Sequence, residues 1–193
     1  MLRTANGGGT WTEQSSGTSG QLNSVVFATP QSGWAVGQGT ILHTGDGGES
    51  WKLQPSGISV DLESAAFATP QSGWAVGKEG AILHTENGGA NWKGQSSGTN
   101  AWLDSVAFAT PQSGWAVGTK GIILHTEDGG ASWKPQRSGT SESLLSVAFV
   151  TPESGWAVGA KGTILHTEDG GHGWQRQASG FGGLLNSVTF VKP

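Results

Sequence analysis

Apolar and polar positions alternate along the chain in short runs that never hold a helical period. Within residues 105–136, four such runs stand between turn signals: SVAFAT, GWAVG, IILHT and SWKPQ. The first is rich in β-branched and aromatic residues and stops at Pro111, which is typical of a strand. The fourth is reached through an Asp-Gly-Gly turn, a strong hairpin signal. Since no stretch repeats at helical spacing, the pattern predicts four antiparallel strands joined as an up-and-down meander.

The same four runs recur along the chain with a period of about 41 residues. One tryptophan series has spacings of 40, 41, 41 and 41 and comprises Trp11, Trp51, Trp92, Trp133 and Trp174. A second series keeps the period and comprises Trp34, Trp74, Trp115 and Trp156. Four strands in about 40 to 45 residues is the size of a β-propeller blade, and the coils of a β-solenoid usually need fewer residues. The repeat therefore predicts a propeller.

The fourth run of a unit has the composition of a sheet edge. Lys52, Lys93 and Lys134 directly follow tryptophans of the first series, and Pro135 comes next in one copy. Lysine and proline on a strand discourage pairing with other chains. We therefore expect the fourth run to be the outermost strand of each blade.

The copies of the four runs are not equal in number. The first, third and fourth runs occur five times and the second occurs four times. Five units of 41 residues would need 205 residues, and the chain has 193, so the deficit of 12 matches one GWAVG strand with its turn. The chain is therefore expected to start inside a blade at Leu2 and to end inside one at Val191.

These observations predict an all-β fold: one β-propeller domain over residues 1–193, built of four-stranded antiparallel blades, five in number with one incomplete. The repeats span about residues 24–64, 65–105, 106–146 and 147–187, and the terminal segments 1–23 and 187–193 share the closing blade. The inner strand 187–191 then closes the ring of a monomer. The alternative is part of a larger ring that a second chain completes, because the missing strand leaves an unpaired edge.

Composition narrows the classes of partner. The chain has 34 glycines, which suit turn-dense β structure, and ten tryptophans, nine of them in the two regularly spaced series, which argue against disorder. It has no cysteine, so disulfides and thiolate metal sites are excluded. A net charge of -4 without a basic run makes nucleic acid an unexpected partner. No apolar segment has membrane-spanning length and no signal peptide begins the chain, so we expect no membrane insertion and assign no compartment.

The turn before each tryptophan of the first series carries a recurring motif, as in TEDGGASW at residues 126–133. The pattern S/T-x-D-x-G-x-x-W resembles the Asp-box, or BNR, motif of bacterial propellers. Together with GWAVGxxGxILHT, the whole chain is similar to the photosystem II stability/assembly factor family. That resemblance implies a structural hairpin between third and fourth strands. The matching positions are Thr44, Asp46, Gly48, Trp51, Thr85, Asn87, Gly89, Trp92, Thr126, Asp128, Gly130, Trp133, Thr167, Asp169, Gly171 and Trp174.

Elementary chemistry also favours a structural role for the box. Its carboxylate can accept backbone N–H groups of a tight turn, and glycine supplies the positive φ that the turn needs. Asn87 replaces the aspartate in one copy, and an amide is a poorer calcium ligand. We therefore predict no metal site and no cofactor. The repeated histidines His43, His84, His125 and His166 are expected to hydrogen-bond inside separate blades rather than to share a metal.

The units hardly differ at one end of the blades and diverge at the other. Turns between first and second strands read TPQSG three times and TPESG once, whereas the inter-blade loops and the turns between second and third strands diverge. A rigid scaffold with varied loops on one face is a common design of binding proteins, although such loops can also vary without function. The candidate ligand-binding residues on this variable-loop face are Trp102, Phe181, Lys78, Lys120 and Lys161.

We predict a non-enzymatic scaffold or binding module whose variable loops bind a protein, as the assembly-factor resemblance implies. The alternatives are a lectin-like propeller that binds glycans, and a recently amplified or engineered repeat with no evolved ligand. A glycoside hydrolase is disfavoured. Sialidases with Asp-boxes need a tyrosine nucleophile and an arginine cluster, and this chain has no tyrosine and only three scattered arginines. No catalytic residue is assigned, since Glu63, Asp104 and Glu142 lie in different units.

Overall fold

The computed structural model describes residues 1–190, and residues 191–193 lie outside the described part. The described chain is all-β, with no α-helix, and none of its short helical turns has the length or apolarity needed to cross a bilayer. Its strands are β1 (Leu2–Arg3), β2 (Thr12–Glu13), β3 (Leu22–Phe27), β4 (Gly33–Gly37), β5 (Thr40–Thr44), β6 (Lys52–Gln54), β7 (Leu62–Phe67), β8 (Gly73–Gly77), β9 (Ile82–Thr85), β10 (Lys93–Gln95), β11 (Leu103–Phe108), β12 (Gly114–Gly118), β13 (Ile123–Thr126), β14 (Lys134–Gln136), β15 (Leu144–Phe149), β16 (Gly155–Gly159), β17 (Ile164–Thr167) and β18 (Gln175–Gln177). Three single 3₁₀ turns stand at Lys78–Gly80, Thr119–Gly121 and Ala160–Gly162.

The strands form four complete antiparallel blades and one two-stranded hairpin. The blades are β3-β4-β5-β6, β7-β8-β9-β10, β11-β12-β13-β14 and β15-β16-β17-β18, each in sequence order. The hairpin β1-β2 has the sequence of the third and fourth strands of a fifth unit. First strands of successive blades contact one another in the order β3, β7, β11 and β15. The predicted propeller of four-stranded blades, with five units and one incomplete, is therefore confirmed.

Each blade has a bulge where its first strand meets its second. In the third blade the register shifts between Leu103 and Ser105, so that Leu103 lies opposite Gly118 and Ser105 opposite Val117. The second strand needs glycine here, because a Cβ on Gly118 would collide with the carbonyl oxygen of Trp102. The bulge bends the inner edge of the blade, as such insertions do, and all four complete blades share it.

The hydrophobic core lies between blades rather than inside a single layer. One cluster joins Trp34 and Ile41 of the first blade to Leu62, Leu83 and Trp92 of the second, and all five are at most 8% exposed. Equivalent clusters join the second blade to the third and the third to the fourth. Both faces of the interior sheets are thus covered, which explains why the GWAVG strands are apolar at every position with a side chain.

The two terminal segments occupy different ends of the row of blades. At the carboxyl end, Val188 N–H donates to Ser146 Oγ, repeating the bond from Val147 N–H to Ser105 Oγ, so residues 187–190 lie beside β15 as β15 lies beside β11. Residues 184–190 nevertheless have no strand assignment. No ladder within residues 1–190 joins this segment to β1-β2, and the end of the predicted strand, at 191, lies outside the described residues. Closure of the ring through the chain ends stays a prediction.

Candidate binding face and blade junctions

The aspartate of the Asp-box is enclosed by hydrogen bonds from its own turn. Asp128 Oδ1 accepts from Thr126 Oγ1 at 2.8 Å and from Ser132 N–H at 2.8 Å, and Oδ2 accepts from Ser132 Oγ at 2.6 Å. Gly130 N–H donates to Thr126 Oγ1. The hydrogen bonds from Ser132 and Thr126 lower the pKa of Asp128 to about 2. This carboxylate is therefore ionised at neutral pH, with its oxygens directed to the turn.

The same network forms with an amide in place of the carboxylate. Asn87 Oδ1 accepts from Thr85 Oγ1 and from Asn91 N–H, and Asn6 Oδ1 likewise accepts from Thr4 Oγ1 and Thr10 N–H. Among the described residues, no group of three or more His, Cys, Asp or Glu side chains is placed to hold a metal. Turn closure thus needs the side-chain oxygen that Asp and Asn share.

Each box turn also belongs to a junction between blades. The box tryptophan Trp92 stands at right angles to Phe67 of its own blade and donates its indole N–H to Gln54 Oε1 of the preceding blade at 3.4 Å. Trp133 and Trp174 make the same bond to Gln95 and Gln136. These glutamines were not predicted from the sequence. Their signal was present, because Gln ends the fourth strand of every complete blade.

The repeated histidines lie in separate blades. In the second blade the His84 ring stacks on Trp74 with centroids 4.5 Å apart, and its Nε2 lies 3.2 Å from Ser72 Oγ. Burial lowers the pKa of His84, and the same cause lowers the pKa of His43 and His125. These imidazoles are therefore neutral at pH 7 and serve contacts within one sheet.

On the variable-loop face, the structure brings Trp102 and Lys78 together. The Trp102 side chain is 47% exposed, and Lys78 Nζ lies 4.8 Å from its ring centroid, within the range of a cation–π contact. Lys78 Nζ also pairs with Asp61 Oδ2 at 2.6 Å, which is the main cause of the raised pKa of Lys78. The lysine covers part of the indole and leaves the rest open to solvent.

A second aromatic and lysine pair lies on the same face, two units further along the chain. Phe181 is 55% exposed and lines a shallow cavity of about 410 Å³ together with Lys161 and Arg176. Lys161 Nζ is 3.0 Å from Glu142 Oε1. Lys120 occupies the equivalent turn of the blade between them. The five candidate residues are therefore spread over three turns and two loops, with Trp102 beside Lys78 and Phe181 beside Lys161.

One acidic side chain lies in an unusual environment. Burial, together with the nearby charge of Glu63, raises the pKa of Asp104 to about 6. Its Oδ2 is buried and has no hydrogen-bond partner within residues 1–190. In the first blade the equivalent residue, Asn23, donates its amide to the carbonyl oxygen of Leu62 at 2.9 Å. Sequence comparison of the units could have found this position, because it changes from Asn to Glu, Asp and Leu.

The sequence profile of the family described as Photosynthesis system II assembly factor YCF48 matches residues 52–138 and 132–190. A search of curated proteins finds no match.

Solved structures of similar fold include relatives of two kinds. YCF48 from Cyanidioschyzon merolae is 20% identical over 91% of this chain, with a TM-score of 0.69, and the chain spans 65% of that protein's length. A structure of YCF48 bound to D1 peptide is 19% identical over 82% of both chains, with a TM-score of 0.54. An ancestral GH74 enzyme is 19% identical over 88% of this chain and 25% of its own, with a TM-score of 0.72. At these identities the likeness shows the fold alone.

Proposed function

The chain belongs to the YCF48 family of photosystem II assembly factors, and from this premise we propose that it is a non-enzymatic propeller that binds a protein partner through its variable-loop face. The observation that carries the proposal is the asymmetry between the two ends of the blades. At one end, the polar side chains of the box turns form hydrogen bonds within their own turn. At the other end, the loops expose Trp102 and Phe181 beside lysines.

The contacts of Trp102 favour a prepared binding surface. Large aromatic side chains recur at the centres of protein interfaces, because they bury much area at small cost in conformational entropy. Here the indole is held by Lys78, which Asp61 in turn anchors. A partner that covers the open part of the ring therefore meets a side chain that is already ordered, which reduces the entropic cost of binding.

A peptide is the first ligand to test, because a related propeller is described as YCF48 bound to D1 peptide. We propose that this chain binds a peptide of the same kind at the loops around Trp102 and Phe181. Titration of the D1 peptide should give saturable binding that weakens at least tenfold in Trp102→Ala and in Phe181→Ala. Leu53→Ala is the matched control, because Leu53 is 71% exposed on an outer strand. Equal affinity in all variants would contradict the proposal for this face.

The alternatives predict other results. A lectin-like propeller should give glycan-array signals that Trp102→Ala abolishes, and a glycoside hydrolase should release aryl alcohols from aryl glycosides. An amplified or engineered repeat should bind neither peptide nor glycan. Within residues 1–190, the unusual carboxylate of Asp104 has only Glu63 as an acidic neighbour that shifts its pKa.

A further inference from the structure

Three blade junctions share one arrangement of aromatic rings. At the junction of the second and third blades, the indole of Trp74 stacks on Phe108 with centroids 3.6 Å apart, and its Nε1 donates to the carbonyl oxygen of Gly129 at 3.1 Å. Trp34 and Trp115 make the same pair of contacts with the blades that follow them. A second-strand tryptophan therefore always covers the first-strand phenylalanine of the next blade.

The junction in front of the first blade lacks that tryptophan within the described chain. Phe27 is 44% exposed there, and Val25 is 58% exposed, although the equivalent residues Ala65, Val106 and Val147 are at most 8% exposed. A groove of about 630 Å³ runs between the hairpin β1-β2 and strand β3, over these side chains. It occupies the position that the missing second strand of the incomplete unit would fill.

Arg3 partly replaces the absent indole. Its Nε donates to the carbonyl oxygen of Gly47 at 2.9 Å, and Gly47 is the counterpart of Gly88 and Gly129. Arg3 stands where the complete units have the histidine that packs against the second-strand tryptophan, stacked on it in three of the four blades. Strand β1 pairs only with β2 within residues 1–190, whereas its counterpart β5 pairs on both edges. The groove therefore offers a free strand edge, an apolar floor and a cation.

We propose that this groove binds an extended partner segment of the kind Gly-aromatic-small-β-branched, which adds as a strand to β1 and lays its aromatic ring on Phe27. The pairing of β4 with β5 supplies the register: Gly33 lies opposite Thr44, Trp34 opposite His43 and Ala35 opposite Leu42. Transferred to β1, the glycine of the segment lies opposite Thr4, the aromatic residue opposite Arg3 and the small residue opposite Leu2. The incoming indole takes the Gly47 carbonyl from Arg3, and the guanidinium stacks on the ring.

The junctions between complete blades indicate which segment fits the groove, because they show which side chains pack on the equivalents of Phe27. Strand addition to an exposed edge is a recurrent mode of peptide recognition, in which backbone hydrogen bonds give affinity and alternate side chains give specificity. A single aromatic side chain with its flanking glycine fits between Phe27 and β1, as Trp34 does between Phe67 and β5. This site is separate from the variable-loop face, so the two proposals can fail independently.

The probe is an end-blocked synthetic peptide of sequence QSGWAVGTK, which copies residues 112–120. Binding to the whole chain is followed by the anisotropy of a dye on the peptide lysine. We expect saturable binding, and at least a tenfold loss when the peptide tryptophan is replaced by alanine. Equal binding of the alanine peptide, or no saturation at millimolar protein, would overturn the proposal.

Protein variants test the place of binding. Val25→Lys sets a charge on the groove floor at a side chain that is already exposed, so we expect the fold to persist and peptide binding to fall at least tenfold. Phe27→Ala should act likewise, and Leu53→Lys on the outer strand is the matched control with unchanged affinity. Arg3→His restores the residue found in the complete units and should strengthen binding, since it frees the Gly47 carbonyl. Unchanged affinity in Val25→Lys would contradict this location.

Light scattering distinguishes a second copy as the occupant. A dimer at micromolar concentration that Val25→Lys dissociates would mean that another copy of the chain fills the groove, which contradicts a separate partner segment. A monomer in both proteins, with peptide binding only in the unmodified chain, supports the proposal.

Discussion

The indole of Trp34 lies flat on the ring of Phe67 in the next blade, with centroids 3.6 Å apart and 14° between the planes. The indole N–H donates to the carbonyl of Gly88, which belongs to the Asp-box turn of that same blade. One side chain thus joins a second strand, a neighbouring first strand and a neighbouring turn. The motif shared with other Asp-box proteins therefore acts between blades as well as within its own hairpin.

Trp74→Phe tests the contribution of this junction. The variant keeps an aromatic ring but loses the donor to the Gly129 carbonyl and leaves a small void beside Phe108. We expect the free energy of unfolding to fall by about 2–4 kcal/mol, since the loss of a partner for a partly buried carbonyl adds to the cost of a cavity. Urea denaturation measures the loss. Trp11→Phe is the control, because Trp11 is 59% exposed, and it should change stability by less than about 0.5 kcal/mol.

Substitutions at Asp128 distinguish two roles of this residue: hydrogen bonding that stabilises the turn, and coordination of a metal. Asp128→Asn keeps the oxygen that accepts from Thr126 and Ser132, as Asn87 does in the preceding unit, so the melting temperature should drop only slightly. Asp128→Ala removes all these bonds and should lower it more. Millimolar calcium should shift neither value. A calcium-dependent rise in the unmodified chain that Asp128→Asn abolishes would instead identify a metal site.

The ionised carboxylate of Asp104 lowers the stability of the fold at neutral pH. Its pKa is raised to about 6, above the ordinary 3.8, so the folded state holds the proton more tightly than the unfolded chain. The stability of the unmodified protein relative to Asp104→Asn should therefore be highest below pH 4 and fall as the pH rises through about 6. Asp104→Asn introduces an amide like that of Asn23, which donates to a carbonyl of the next blade, at Leu62. The free energy of unfolding should therefore rise by about 1 kcal/mol at pH 7. Urea titrations at several pH values measure both.

Asn23→Asp is the matched reverse substitution. It removes the donor to the Leu62 carbonyl, so it should destabilise the protein at pH 7 and less so at pH 4. If the effect of each substitution on stability were the same at every pH, the role given to the charge would be contradicted.

Lys120 is held in a left-handed backbone conformation, with φ 60 and ψ 23, directly before Gly121 with φ 69. Two positive φ values in succession define a type I′ turn, which favours Asn-Gly. Lys120→Asn should therefore stabilise the chain by about 1 kcal/mol, measured by urea denaturation. If Lys120 contacts a partner at the variable-loop face, the same variant should bind the D1 peptide more weakly while it melts at a higher temperature. Ala160→Asn, at the equivalent of the neighbouring position in the next unit and without positive φ, is the control.

The repeated positions of this chain could be predicted from sequence with strand-level accuracy. Tryptophan spacing and turn residues placed GWAVG and ILHT in the strands where the structure has them, because every unit repeats the same local signals. The count of five first runs against four second runs also predicted an incomplete unit. The partners of the side chains that reach across a junction were not predicted. The bond from Trp92 to Gln54 joins residues in different units, and no local pattern indicates which blade a side chain faces.

Positions where one unit departs from the others were harder still. Arg3 stands where the complete units have histidine, and its bond to Gly47 depends on there being no tryptophan above Phe27 within residues 1–190. The raised pKa of Asp104 likewise depends on which inner strand lies beside it. Both results arise from packing between units, which sequence comparison within one chain does not reveal.

The stacking geometry is uniform at three junctions and looser at the fourth, where Trp156 and Phe190 have centroids 4.5 Å apart and planes 41° apart. Each blade contacts only its immediate neighbours, so the cooperativity of unfolding depends on the strength of each junction between adjacent blades. Amide hydrogens of β16 and β17 should consequently exchange with deuterium sooner than those of β8 and β9, which have a tight neighbour on either side. Unfolding then begins at the carboxyl-terminal blade and spreads inward. Proteolytic cleavage near the carboxyl terminus should therefore leave the remaining blades folded more often than cleavage in a central blade.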